Sequence, residues 1–153
     1  MTDRAFTVVR MTREHLSAAA ELERLCFHEP WSEKSLELLL GDAAVGFVCL
    51  RDGLVIAYGG MLWAPDEGQV TNVAVHPDAR RCGCGRKLLA ALTEAAQARG
   101  AKQISLEVRA SNGAAIALYE SDGYETVGRR KNFYRTPRED ALVMVKKLQI
   151  AFI

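Results

Sequence analysis

Apolar and polar positions along this chain repeat with two periods, and the switches between them mark its elements. "FTVVR" near the start reads as a short strand. Thr12 is placed to cap the helix that follows, where Leu16, Ala19, Ala20, Leu22 and Leu25 are expected to share an apolar face. "EPWSEKSLELLL" opens on a Pro-containing turn, with Ser32 as N-cap and Gly41 as the stop of a second helix. The period then drops to two. In "VGFVCL", Val45, Phe47 and Cys49 alternate with Gly46, Val48 and Leu50, and Asp52-Gly53 is a hairpin signal. "VIAYGGMLW" is the returning strand, "APDEG" turns the chain, and "QVTNVAV" is another strand before the loop "HPDAR".

Helical spacing resumes from Gly85 to Arg99, where Leu88, Leu89, Leu92, Ala95 and Ala96 share a face and Gly100 ends it. In "QISLEVR", Ile104, Leu106 and Val108 point one way, and Ser105, Glu107 and Arg109 the other. "ASNGAAIALYESDGY" predicts a short helix, and "YETVGRR" and "EDALVMVKKL" the last strands. The order β-α-α-β-β-β-α-β-α-β-β predicts one α/β domain over residues 1–153. Hairpins supply antiparallel pairs and crossovers parallel ones, so the sheet is mixed.

Composition narrows the function classes. A chain of 153 residues fits one domain and buries roughly 70% of its unfolded surface, so it needs no disulfides. A net charge of +1 argues against broad electrostatic binding to nucleic acid. "MTDRAFTVVR" lacks the apolar core of a signal peptide, and no apolar run approaches the ~20 residues of a membrane span. Four cysteines are then expected as free thiols in a reducing cytoplasm.

The stretch "RRCGCGRKLL" carries two competing chemistries. Cys82 and Cys84 suggest a metal or redox site. A structural zinc site wants four ligands, however, and His76 is the only histidine near the pair. A Cys82–Cys84 disulfide would close a very small, strained ring. Gly83 and Gly85 suggest an anion cradle, because unpaired N–H groups of a helix's first turn point into such a loop. Arg80, Arg81, Arg86 and Lys87 add positive charge around it. The Walker A pattern fails, and the dinucleotide fingerprint fails at Leu88. A tight strand-to-helix turn with no ligand is the alternative.

Three further residues have chemistry to offer. Glu107 is either a base whose pKa rises by desolvation in a sheet cleft or a solvated outer-face carboxylate. Tyr119 is either a core residue or a general acid. Asn112 is a cap whose amide can also hold a ligand. Trp31, Phe133 and Tyr134 either pack partly buried or wall a substrate groove from two loops.

Together, Arg80-x-x-Gly83-x-Gly85, "LEVRASNGAAIALYESDGYETVGRRKNFY", "REDALVM" and "PWSEKS" resemble the GNAT (Gcn5-related) N-acetyltransferases, and within them the RimI branch. Members of that branch acetylate the N-terminal alanine of a small-subunit ribosomal protein. The resemblance implies a GNAT fold: a central, mixed, splayed sheet flanked by about four helices, with acetyl-CoA in the V-shaped opening. It assigns the pantetheine arm to the backbone of Val73, Ala74 and Val75. The pyrophosphate falls to Arg81, Cys82, Gly83, Cys84, Gly85 and Arg86, with Asn112 also touching the cofactor. Glu107 matches the proton acceptor and Tyr119 the proton donor, while Trp31 and Tyr134 fall to the acceptor. The implied enzyme works without metal, covalent intermediate, nucleic acid or membrane. Other acceptors within the family, protein lysine or a small-molecule amine, are the second reading, and a non-catalytic acyl-CoA-binding partner module the third. Cys82 and Cys84 depart from the family pattern, and Gln69, Thr71 and the short loop "NFYRTPRED" fall where the acceptor is read. The apolar tail "LQIAFI" is expected to add a strand, cover a surface or contact a partner.

Overall fold

Turn chemistry builds the first half of the sheet. In the computed structural model, which describes residues 5–149, Asp52 and Gly53 both take positive φ, 53° and 78°. That is the backbone of a tight hairpin, and it joins β2 (Ala44–Arg51) to β3 (Leu54–Ala64). A second hairpin, with Asp66 at φ 64°, pairs β3 antiparallel with β4 (Glu67–Val75). β1 (Thr7–Arg10) lies antiparallel to β2 on the outside. Between β1 and β2 come a 3-10 turn, α1 (Leu16–Cys26), and α2 (Glu33–Leu36), which tightens into a 3-10 turn ending at Leu40. Ser32 caps α2 as its residue type predicts, accepting from the Ser35 backbone N–H at 3.1 Å.

α3 (Cys84–Ala98) carries the chain across to β5 (Gln103–Arg109), and α4 (Gly113–Ser121) leads to β6 (Glu125–Arg135) and β7 (Arg138–Lys147). The result is a mixed seven-stranded sheet in the order β1-β2-β3-β4-β5-β7-β6. Its one parallel contact, β4 with β5, spans only Glu67↔Gln103, Gly68↔Ile104 and Gln69↔Ser105. Beyond Gln69 the two strands part.

Strand alternation divides the core between the two faces. Ala44, Val48 and Tyr58 face α1 and α2, with Leu16, Ala19, Ala20, Leu36 and Leu39. Val45 and Met61 face the other way, where Leu89 and Leu92 of α3 join Ile104, Leu106 and Val108 of β5 and Tyr119 of α4.

Two expectations are corrected. Leu25 is half exposed, whereas Glu23 is fully buried. A period of 3.6 puts residue 23 seven positions after Leu16 on the same stripe, while residue 25 falls on the opposite side. The segment read as the loop "NFYRTPRED" is mostly strand: β6 continues to Arg135 and β7 begins at Arg138. β6 is an edge strand, exposed along almost its whole length, and two irregularities in its pairing, at Thr126/Gly128 and Arg130/Tyr134, erase the alternation that would reveal it. Of the apolar tail, Leu148 packs against the core and its N–H donates to Lys102 O at 2.9 Å; residues 150–153 lie outside the described region.

Candidate active site

The parting of β4 and β5 leaves one edge of β4 without a strand partner from Val70 to Val75, while its other edge stays paired with β3. A bulge sits at the mouth of the opening, where Thr71 and Asn72 lie in the register shift between Gly59 and Met61 of β3. Peptide groups on such an edge need a partner. Val73, Ala74 and Val75, assigned to the pantetheine arm, all lie on it. Thr71 Oγ1 is buried there with no hydrogen-bond partner.

The loop from His76 leads from this edge into α3. Arg81 and Gly83 take left-handed φ of 67° and 94°, and Gly83 is the N-cap with no side-chain cap bond. Only glycine adopts that conformation without penalty. Lys87 N–H reaches Gly83 O at 3.1 Å, so the Cys84, Gly85 and Arg86 N–H groups are the first-turn donors left over. Gly85 answers a packing need: a Cβ there would lie 2.9 Å from Leu118 Cδ2 of α4. Arg80, Arg81, Arg86 and Lys87 are exposed around the loop. Asn112 caps α4, its Oδ1 accepting from Ala115 N–H at 3.2 Å, which leaves its two amide N–H donors for a ligand.

Glu107 lies on the exposed face of β5, in a polar groove of about 460 Å³ with Glu67, Gln69, Ser105 and Arg130. Its carboxylate pairs with Arg130 Nε at 3.1 Å and is about a third exposed (34%), so the desolvated cleft of the sequence reading is absent. Tyr119 is buried, edge-on to Tyr124 at 5.6 Å. Burial, and then Tyr134, push its phenol above the ordinary tyrosine value. Tyr134 links the two residues electrostatically: burial first, then the Glu107 carboxylate, push its own pKa up to about 12.

The Trp31 loop and the end of β6, which carries Tyr134, are tied together. Glu29 Oε1 accepts from the backbone N–H groups of Arg135 at 3.1 Å and Thr136 at 2.9 Å. Arg109, at the end of β5, stacks 4.3 Å over the Tyr134 ring and donates to Thr136 O and Pro137 O, both at 2.9 Å. Its ion pair with Glu139 at 3.2 Å fixes the same turn.

Sequence reasoning missed Glu23. Its buried carboxylate accepts from the Tyr58 hydroxyl, from Asn72 Nδ2 at 2.9 Å, and from the Trp31 N–H at 2.8 Å. It thereby ties the Trp31 loop to the bulge of β4. The available signal was the i, i+3, i+4, i+7 spacing of Leu16, Ala19, Ala20 and Glu23.

The pattern of the Acetyltransferase (GNAT) family matches residues 16–124. The chain belongs to this family. GNAT relatives agree over nearly all of it. The [ribosomal protein bS18]-alanine N-acetyltransferase of Escherichia coli (strain K12) is 39% identical over 140 residues, covering 90% of this chain and 95% of that one. The crystal structure of the ribosomal-protein-S18-alanine N-acetyltransferase from Escherichia coli superposes with a TM-score of 0.88 at 37% identity, covering 97% of both chains. The NatC complex bound to Gag peptide and CoA shares the fold alone, with a TM-score of 0.83 at 19% identity over 94% of this chain and 99% of that one. The chain is thus a GNAT-fold N-acetyltransferase, and the opening at Val70–Val75 is the family's splay. The residues present suit acetyl-CoA: an unpaired strand edge and a left-handed glycine at an open helix N-terminus. Among the described residues, no group of three or more His, Cys, Asp or Glu is arranged to hold a metal, and no helix is long and apolar enough to cross a membrane.

Proposed function

We propose that this chain transfers acetyl from acetyl-CoA to the N-terminal alanine amine of a small-subunit ribosomal protein in the cytoplasm. The observation that supports the reading is the likeness to the Escherichia coli bS18-alanine enzyme, which extends over 90% of this chain in sequence and 97% in structure.

When bound, acetyl-CoA supplies an activated thioester. The N–H groups of Cys84, Gly85 and Arg86 would hold its pyrophosphate, with Arg81, Cys82 and Gly83 shaping the loop. Val73, Ala74 and Val75 would align the pantetheine arm, and Asn112 would add an amide donor. An N–H near Val73 would polarise the thioester as an oxyanion hole does. A terminal amine with a pKa of roughly 7.7–8.0 is largely protonated at neutral pH. Glu107 takes up that proton through water, which its exposed position admits. Tyr119 keeps its own proton through neutral pH because burial disfavours the phenolate, so it can donate to the departing thiolate. Trp31 and Tyr134 wall the groove for the first acceptor residues.

The test offers acetyl-CoA with peptides that copy the ribosomal protein's N-terminus, beside peptides whose only free amines are lysine side chains. Acetylation of the α-amine is expected, read by mass spectrometry. Modification confined to lysine would overturn the acceptor assignment.

A further inference from the structure

The thiols of the cofactor loop form a cluster that acetyl transfer does not use. Cys82 Sγ lies 2.7 Å from Cys84 Sγ and 2.7 Å from Ala79 O. Cys84 is buried, packed with the equally buried Cys49, while Cys82 is half-buried and open to small solutes. The guanidinium of Arg51 faces this cluster, and its Nε is buried without a hydrogen-bond partner. The α3 N-terminus begins at Cys84. A cationic neighbour and a helix N-terminus both favour thiolate over thiol. An accessible sulfur so placed, with a second thiol in contact, is the arrangement of a peroxide-reactive cysteine and its resolving partner.

From this arrangement we infer that Cys82 and Cys84 are a reversible oxidation site whose disulfide weakens coenzyme A binding. The first step is attack of the Cys82 sulfur on one oxygen of hydrogen peroxide. The O–O bond breaks, hydroxide leaves and takes up the thiol proton as water, and Cys82 becomes a sulfenic acid. The Cys84 sulfur then attacks the Cys82 sulfur, and the sulfenic oxygen leaves as a second water with the Cys84 proton. Two thiols lose two electrons and two protons, and one peroxide becomes two waters. The roles follow exposure: the half-buried sulfur meets the oxidant and the buried one resolves it. The thiols' acidities fall in the same order. Burial raises the Cys82 thiol, but bonds within the pair and Arg51 outweigh it and leave it below the ordinary value, whereas burial foremost pushes Cys84 up.

The effect on binding comes from ring size. The disulfide closes a ring that contains the Gly83 and Cys84 peptide groups themselves. Strain in so small a ring is relieved by turning those peptides, which turns the Cys84 N–H away from the pyrophosphate. Strained disulfides are also the easily reduced ones, so thiols reopen the loop. The inference rests on this loop being the pyrophosphate cradle, and the experiment separates the two.

The full-length protein is treated with hydrogen peroxide and then with dithiothreitol. Intact mass and peptide mapping follow the sulfurs, and calorimetry follows coenzyme A. Expected are a loss of two hydrogens per chain, a Cys82–Cys84 loop peptide, and affinity about tenfold lower, equivalent to ~1.4 kcal/mol, restored by dithiothreitol. In Cys82→Ser, the ratio of affinities before and after peroxide falls to one, a comparison made within the variant. A disulfide joining Cys84 to Cys49, one joining two chains, or a Cys82–Cys84 bond with unchanged affinity would overturn the inference. Reduced protein that fails to bind coenzyme A would overturn the cradle reading instead.

Discussion

Tyr119 and Glu107, the proposed proton donor and acceptor, lie in opposite environments. The phenol is buried and keeps its proton, whereas the carboxylate lies on an open sheet face beside Arg130. Tyr119→Phe should lower kcat by about 10²-fold, the low end for loss of a general acid, while coenzyme A affinity by calorimetry stays within twofold. Glu107→Gln should lower kcat by a similar factor in single-turnover assays. Glu23 serves stability instead. Glu23→Ala leaves the Tyr58 hydroxyl, the Asn72 amide and the Trp31 N–H without their acceptor. Urea unfolding should show a loss of about 3 kcal/mol, since each stranded buried donor costs about 1–3. The sequence made the types of these residues plain but not their surroundings. The Glu23 pocket is closed by Tyr58 and Asn72, 35 and 49 positions away, and no local pattern encodes that.

At the level of elements, the sequence was legible wherever one face is buried and the other is not. The alternation in β5 and the apolar stripe of α3 appear as read, because packing on one side forces that pattern. It failed where that asymmetry is missing, as in β6, which is exposed along almost its whole length. The splay left no mark of its own, because it is the absence of a pairing and the residues of β4 on either side of it are equally strand-like. The glycines of the α3 entry were legible, and they permit a controlled test. Gly83→Ala forces an L side chain to φ 94°, at a cost of about 1–2 kcal/mol. Gly100→Ala meets φ 80° with nothing within 4 Å of the new Cβ, so it carries the same backbone penalty at the far end of the same helix. Both variants should lose similar stability in urea, but only Gly83→Ala should weaken coenzyme A binding.

On the scale of the whole molecule, distant segments are held together by a few polar ties. Glu29 bridges more than a hundred residues of sequence to reach the β6–β7 turn. Glu29→Ala should raise KM for the acceptor peptide several-fold with kcat nearly unchanged, the pattern of lost uniform binding, and should shift stability by less than about 0.5 kcal/mol because the site is exposed. Carboxylates also set the acid limit. Burial pushes Glu67 up, but hydrogen bonds from Gln69, Gln103 and Ser105 outweigh it and hold it below its ordinary value. Glu139 is held low foremost by its bond from Ser111, and Asp140 by its bond from Asn132. A carboxyl with a lowered folded-state pKa contributes stability above its unfolded pKa and loses it as pH falls. The urea midpoint should therefore drop as pH falls below about 4, and Glu139→Gln should drop less steeply.

The three residue pairs that join β4 to β5 have one more consequence. Among the described residues they are the only strand-to-strand pairs between a four-stranded half and a three-stranded half, so the line along which the sheet parts most easily is also the line proposed for the cosubstrate. A molecule bound along that line acts as the missing rungs of a ladder. It restrains the separation of the halves in proportion to its own free energy of binding. With acetyl-CoA at the proposed site, its occupancy should set how firmly the two halves hold together, as well as whether the reaction proceeds.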